Sequence, residues 1–262
     1  LYFFAEGVEY RELGAIVIGG TVVSLVGLVD DRVGLRPRVK LIWQIVAALI
    51  LVAGDVRVRF LNSPWIDIPL TIFWVVGICN AINFQDNMDG VAAGIAASAA
   101  LSFLVLAALN GQVLVSSLAA ALFGACLGFL IYNFQPALTF MGDAGSLLLG
   151  YTLAVLGIKL NFPHISQLTT WMIPIVVLGL PIFDTVLVTF SRLRRRISIA
   201  QGGADHTSHR LTRLGLSHRR AVISLYLVCL SLGAVAVSML YTTPEVANTV
   251  FIGLCVMSLF VL

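Results

Sequence analysis

Residues 68–109 read IPLTIFWVVGICNAINFQDNMDGVAAGIAASAALSFLVLAAL, which is two apolar runs joined by a short polar segment. A helix that spans a bilayer needs about 20 mainly apolar residues, and each run approaches that length. Asn83, Asp86 and Asp89 lie at the join, where a carboxylate is costly unless water, a cation or another charge meets it. The stretch therefore predicts two membrane-spanning helices with polar groups of functional interest between them.

The rest of the chain repeats this apolar character. Of its 262 residues, 59% are hydrophobic and 11% are charged, whereas soluble domains carry about 25% charged residues. We therefore expect one all-α polytopic domain over residues 1–262, in contact with the lipid bilayer and with no nucleic acid. The predicted spans are 12–29, 39–54, 68–85, 91–109, 113–132, 144–160, 168–189, 219–241 and 246–262. Alternating apolar and charged residues at 55–60 predict a small strand or hairpin outside the bilayer.

The basic residues predict which side of the membrane each loop faces. Nine spans place the loops near 30–38, 83–90, 133–143 and 190–218 on one face, which receives twelve of the 16 Lys and Arg. Because cytoplasmic loops carry an excess of Lys and Arg, we expect this face to be cytoplasmic. Six acids fall on the same face: Asp30, Asp31, Asp86, Asp89, Asp143 and Asp205. This asymmetry predicts that the site faces the cytoplasm.

The acids have both structural and functional interpretations. Asp30 and Asp31 end a predicted helix, where carboxylates oppose the macrodipole unless a cation offsets them; headgroup anchoring is the simpler interpretation. Asp89 and Asp143 each precede a predicted span and suit helix capping. Asn83, Asp86 and Asp89 recur every three residues, and on a continuing helix their oxygens would suit Mg²⁺ or a ribose.

The predicted cytoplasmic loop 191–218 adds basic groups to this face. Arg194 and Arg196 belong to an arginine run that suits a topology anchor or a phosphate contact. His206 and His209, beside Asp205, indicate an anion pocket with protonatable donors. Asp184 lies within a predicted span, where an ionisable side chain is a functional candidate.

Together, these groups predict a Mg²⁺-dependent membrane enzyme that handles phosphate, because such catalysis combines positioning with charge neutralisation. A cation-coupled transporter that uses the same acids is the alternative, and a non-catalytic lipid-binding scaffold also stays open. A CDP-alcohol phosphotransferase is rejected because Gly94 stands where its motif requires Arg. An intramembrane aspartyl protease is disfavoured because its motif is incomplete around Asp143.

Five ordered motifs resemble the polyprenyl-phosphate N-acetylhexosamine-1-phosphate transferases, the superfamily of MraY, WecA and TagO. They are LVDDRVGLRPRVK, NAINFQDNMDG, NFQPALTFMGDAGS, PIFDT and DHTSHRLTRLGLS. The resemblance implies ten or eleven spans, so we expect N-terminal helices to be missing from this chain. It also implies transfer of a sugar 1-phosphate, expected to be N-acetylglucosamine 1-phosphate, from a UDP-N-acetylhexosamine to undecaprenyl phosphate. UMP would be released in a bacterial cytoplasmic membrane, with Mg²⁺ or alternatively Mn²⁺ as cofactor. The downstream glycan (teichoic acid, O-antigen or another cell-wall polymer) and a homodimer are left open.

The resemblance also implies roles for individual residues. Asp143 would be the principal metal ligand, with Asn83 and Asp86 close to the metal, and Asp30, Asp31 and Asp86 would be the catalytic acids. The nucleoside would meet Phe140, Asn133, Asp89, Asn87 and Met88. The phosphates and sugar would meet Lys40, His206, His209, Arg194 and Arg196.

Two positions depart from the pattern of the family. Ser208 stands where WecA- and TagO-like members usually have a histidine, and Asn87 replaces a glycine in the common DGLDG segment. Members with the MraY activity carry three consecutive histidines in that loop. The sequence is therefore closer to WecA and TagO than to MraY.

Overall fold

The computed structural model describes residues 10–198 and 203–261, and every regular secondary-structure element that these residues form is a helix. The helices are α1 (Tyr10–Val33), α2 (Pro37–Ala53), α3 (Pro64–Gln85), α4 (Val91–Leu109), α5 (Val113–Asn133), α6 (Gly142–Lys159), α7 (Gln167–Val177), α8 (Gly179–Arg194), α9 (Thr207–Arg213), α10 (His218–Ser238) and α11 (Pro244–Val261). A 3-10 turn, Met239–Tyr241, extends α10. The predicted all-α class is confirmed.

The prediction of nine membrane spans is not confirmed. Among the described residues, five helices are long and apolar enough to cross a membrane: α1, α3, α4, α5 and α10 with its 3-10 turn. The broken pair α7–α8 brings the number to six. Helices form at the other predicted spans, but α2 has only 17 residues, and neither α6 nor α11 is among the spanning candidates. Leu262, the last residue of the ninth predicted span, lies outside the described residues.

The strand predicted at residues 55–60 is not found; this segment is irregular. Its backbone groups are satisfied by side chains instead of a partner strand. Thr71 accepts from the amide of Val58 at 2.9 Å, and the Asp67 carboxylate accepts from the amides of Phe60 and Leu61. Alternating polarity alone did not separate this arrangement from a hairpin, because both bury every second side chain.

The helix that carries Asn83 ends where the predicted span 68–85 ends, and it does not continue through Asp86 and Asp89. α3 stops at Gln85, so Asp86 and Asp89 lie in the turn that follows and share no helical face with Asn83. Asn87 promotes this ending, because its side-chain amide donates to the Phe84 carbonyl at 2.7 Å. Carbonyls in the last turn of a helix lack intrahelical donors, and a side chain that supplies one favours termination.

The chain divides into two compact units, and the prediction of a single domain stays a prediction. The first unit comprises the described residues up to Asn83 together with Met141–Lys159. In it, α6 packs closely on α1 and on α3. The Tyr151 hydroxyl donates to the carbonyl of Ile16 at 3.1 Å, and a Cβ on Gly150 would lie 2.6 Å from the Cα of Cys79. Small residues thus let the backbones approach, as is typical of membrane helices.

The second unit comprises Phe84–Phe140 and the described residues from Leu160 onward. α4 lies at its centre and packs against α5 and α10. Gly94 leaves room for the Tyr226 ring, whose hydroxyl donates to the carbonyl of Gly90. This contact fixes the start of α4 directly after the polar turn.

α7 and α8 are bent by 70° at a break around Leu178. Pro181 explains the break, because a proline has no amide hydrogen and its ring clashes with the carbonyl four residues earlier, here that of Val177. The predicted loop 191–218 begins inside α8 and contains α9, while residues 199–202 of that loop lie outside the described residues.

Replacement of Gly150 by alanine should destabilise the first unit. The new Cβ would meet the α3 backbone at Cys79, which cannot yield as a flexible side chain would. We expect a loss of about 1–3 kcal/mol, typical of overpacking, seen as a lower thermal unfolding temperature in detergent.

Gly128→Ala is the matched control, because Gly128 is an exposed helical glycine and a Cβ added to it would have no neighbouring atom within 4 Å. Alanine there should leave the unfolding temperature unchanged or raise it. Equal losses in the two variants would contradict close packing of α6 on α3.

Candidate active site

The first unit gathers an ion cluster at the ends of its helices. The Lys40 ammonium, at the start of α2, lies 2.9 Å from Oδ2 of Asp30 and 2.6 Å from Oδ2 of Asp143. These carboxylates come from the end of α1 and the first turn of α6. The three side chains are 13–24% exposed, so the cluster is partly desolvated and still open to solutes.

Asp31 has a different role from its neighbour in the chain. Its carboxylate accepts from the amides of Asp143, at 2.8 Å, and Ala144, at 3.1 Å. It therefore caps the start of α6, where unpaired amides and the positive end of the helix dipole favour an anion. Gly142, with φ of +62°, permits this approach, because a Cβ there would lie 2.8 Å from Cγ of Asp31. Thus Asp31, rather than Asp143, caps α6.

Asn83 completes the cluster from α3. Its side-chain amide donates to Oδ1 of Asp143 at 3.0 Å and to Oγ of Ser146 at 2.9 Å. Ser146 is fully buried and was missed in the sequence, although it lies one helical turn beyond Asp143. The structure thus brings together five of the predicted site residues: Asp30, Asp31, Lys40, Asn83 and Asp143.

The donor chemistry of this cluster suits a small hard cation. Among the described residues, no group of three or more His, Cys, Asp and Glu side chains forms a metal site. Mg²⁺ does not require one, because it is usually held by one or two carboxylates together with water and substrate phosphates. Asp143 and Asp30 offer such carboxylates, and Lys40 places a positive charge between them.

The second unit holds the residues predicted to meet the nucleoside. Asp89 accepts from the amide of Ala137 at 3.1 Å and does not cap α4, whose N-terminal cap position is Gly90. Asn133 accepts from the amide of Gly90 at 3.0 Å and donates to the carbonyl of Thr139 at 2.8 Å. Both ends of the buried Asn133 amide are therefore used in joining the polar turn to the segment after α5.

The remaining predicted nucleoside residues differ in exposure. Phe140 is 74% exposed in an irregular segment, as a ring that stacks on a ligand would be. The Met88 side chain is buried, and Asp86 is half-buried in the turn after α3.

A buried carboxylate organises the start of α9. Asp184, on α8, has no exposed surface, and its Oδ2 lies 2.7 Å from Nδ1 of His206. Its Oδ1 accepts from both the amide and the hydroxyl of Thr207, each at 2.6 Å. The structure therefore joins Asp184 and His206, for which the sequence predicted no connection.

The two residues that depart from the family pattern, Asn87 and Ser208, contact each other. The hydroxyl of Ser208, which is buried, donates to Oδ1 of Asn87 at 2.6 Å. The backbone of Asn87 also bonds the side chain of His209, whose pKa is held below its ordinary value, first by burial and then by neighbouring positive charges. Neither residue of this pair predicts the other in sequence, because 121 positions separate them.

The arginines near the end of α8 divide into two groups. Arg195 and Arg192 lie 2.7 and 3.2 Å from the carboxylate of Asp205. Their hydrogen bonds, with that of Arg195 first, hold the pKa of Asp205 below its usual range. Arg194 and Arg196, the two predicted phosphate contacts, are exposed.

Comparison with known proteins identifies a matching family model and several relatives of this chain. The family model for glycosyl transferase family 4 matches residues 13–161. The probable undecaprenyl-phosphate N-acetylglucosaminyl 1-phosphate transferase of Bacillus subtilis (strain 168) is 38% identical over 223 residues, which is 82% of this chain and 62% of the relative. The decaprenyl-phosphate N-acetylglucosaminephosphotransferase of Mycobacterium leprae (strain TN) is 33% identical, covering 93% of this chain and 69% of the relative.

A third relative covers less of the sequence. The phospho-N-acetylmuramoyl-pentapeptide-transferase of Heliobacterium modesticaldum (strain ATCC 51547 / Ice1) is 36% identical over 55% of this chain and 52% of the relative. The chain thus spans about three fifths of the length of the Bacillus relative and about half that of the Heliobacterium relative. On the family match and these relatives, the chain belongs to glycosyl transferase family 4.

Proposed function

We propose that this protein transfers N-acetylglucosamine 1-phosphate from UDP-N-acetylglucosamine to undecaprenyl phosphate. A lipid-phosphate oxygen would attack the β-phosphorus of the nucleotide sugar, and the bond between that phosphorus and the bridging oxygen would break. UMP would leave with the bridging oxygen, and the lipid would carry a pyrophosphate-linked sugar. The activities for which the Bacillus and Mycobacterium relatives are named support this reaction.

The ion cluster of the first unit is the observation that carries the proposal. Phosphoryl transfer needs cations for the phosphate oxygens and little covalent chemistry from the protein. Lys40 is the resident cation and would bind a phosphate oxygen, while Asp30 would orient or deprotonate the lipid phosphate. Asp31 would act indirectly, because its cap fixes the backbone of Asp143.

Mg²⁺ is the proposed cofactor, with Mn²⁺ as a substitute. Asp143 and the side-chain oxygen of Asn83 would hold it, with Asp86 as a further oxygen donor. When bound, the metal would neutralise charge on the diphosphate. Asn83 keeps its amide hydrogens directed at Asp143 and Ser146, so its oxygen is the atom it could offer to a cation.

The nucleoside would be bound by residues of the second unit. Phe140 would stack on the uracil ring, and the turn formed by Asn87, Met88 and Asp89 would form the wall beside it, braced by Asn133. His206, His209, Arg194 and Arg196 would contact the phosphates and the sugar. The reaction would take place in a bacterial cytoplasmic membrane, and the arginine-rich loops favour a site that faces the cytoplasm.

The alternative of a cation-coupled transporter is not supported. The relatives are named as transferases, and the carboxylates of the first unit lie at helix ends. Transporters of the broken-helix type place their sites near the middle of the membrane.

Replacing Asp143 with asparagine should abolish Mg²⁺-dependent release of UMP, because the variant loses the negative charge that holds the metal. The amide keeps the size of the side chain, so the protein should still elute as a folded species in detergent. Asp55→Asn is the matched control, because Asp55 is a half-buried acid of the same unit that pairs with Arg57 and Arg59. Normal turnover in Asp143→Asn would remove Asp143 from the metal role.

Replacing Phe140 with alanine should raise KM for the UDP-sugar by about tenfold or more and change KM for the lipid little. The expected loss follows from base stacking, which is worth about 1–3 kcal/mol on an aromatic side chain. Leu138→Ala is the control, because Leu138 is 81% exposed in the same segment. Equal rises in both KM values would argue against uracil stacking.

A further inference from the structure

The contacts of Asp184 fix which nitrogen of His206 carries a hydrogen. Two donors, the amide and the hydroxyl of Thr207, converge on one oxygen of this fully buried side chain, and Nδ1 of His206 lies 2.7 Å from the other oxygen. Hydrogen bonds donated to a carboxyl group favour its ionised form, which can only accept. Nδ1 must therefore hold a hydrogen, and any change in protonation occurs at Nε2.

The position of the imidazole is constrained on its other sides as well. The edge of the Phe84 ring packs against it, with centroids 6.2 Å apart. The hydrogen bond from Ser208 to Asn87 holds the first turn of α9, directly after His206, in position. Nε2 has no hydrogen-bond partner among residues 10–198 and 203–261.

Few charged groups compete for this imidazole. Asp184 contacts it from α8, and His209 follows it on α9. Asp205, the preceding residue, is engaged by Arg192 and Arg195. Among the described residues, Asp184 is thus the carboxylate that pairs with His206.

We propose that Asp184 is a positioning residue, which holds His206 so that Nε2 binds a phosphate group of the substrate and exchanges a proton with it. The ligand class rests on the proposed function, whereas the tautomer of His206 rests on the contacts of Asp184. In the imidazolium form Nε2–H would donate to a phosphate oxygen, and in the neutral form Nε2 is left as the acceptor.

Asparagine at position 184 should reverse this tautomer. The backbone amide of Thr207 can only donate, so the single remaining oxygen of Asn must face Thr207. The new NH₂ group would then face Nδ1 of His206, which must become an acceptor. In neutral His206 the hydrogen would move to Nε2.

The test is ¹⁵N nuclear magnetic resonance of histidine-labelled protein in detergent at pH 9, with His206 assigned from a His206→Gln sample. Wild type should show a protonated Nδ1 and a bare Nε2, and Asp184→Asn should show the reverse. Ser208→Ala is the matched control: it releases another anchor of α9 and should keep the wild-type tautomer.

A protonated Nε2 in the wild type at pH 9 would overturn the proposal, and this measurement needs no variant to fold. It would also be overturned if Asp184→Asn kept the wild-type tautomer, or if Ser208→Ala reversed it. In the same preparations, UMP release should fall about 10–100-fold in Asp184→Asn, the range for loss of a group that orients an imidazole, and by less in Ser208→Ala. If wild type released no UMP yet showed the expected tautomers, the proposed function would fail while the role of Asp184 in orienting His206 would stand.

Discussion

The placement of Lys40 between Asp30 and Asp143 is the interaction on which the candidate site depends. Three carboxylates, including Asp31, gather at the ends of α1 and α6, and they would repel one another without compensation. Lys40 supplies one positive charge, and the first amides of α6 receive Asp31. The result is a set of acids that is held in position before any metal or substrate arrives, as preorganised electrostatic catalysis requires.

Much of this arrangement could be predicted from the sequence, and the limits have physical causes. Long apolar runs predicted the helices, and the charges at their ends predicted which residues gather into a cluster. The helical face considered for Asn83, Asp86 and Asp89 does not form, because α3 ends at Gln85 and a three-residue polar spacing suits a helix and a turn equally. The cap on α6 was assigned to Asp143, because a sequence shows local caps, whereas Asp31 is 112 positions away from the amide it accepts.

In the second unit, too, contacts between residues that are distant in sequence could not be predicted. Asn87 and Ser208 each depart from the family pattern, and the sequence predicts no connection between them. In the structure the two side chains form one hydrogen bond, so the two changes are matched. Asp184 and His206 were both predicted as candidates, but only the fold shows that they form a single carboxylate–imidazole pair.

Phosphoryl transfer is tested most directly by identifying the nucleotide that the enzyme releases. The protein in detergent would be given undecaprenyl phosphate, UDP-N-acetylglucosamine and Mg²⁺, and the products would be separated by chromatography. We predict that UMP is released, that its release depends on the lipid, and that it is lost when EDTA is added. UDP would mean ordinary glycosyl transfer, with attack at the sugar carbon, and would contradict the assignment of the ion cluster to the diphosphate.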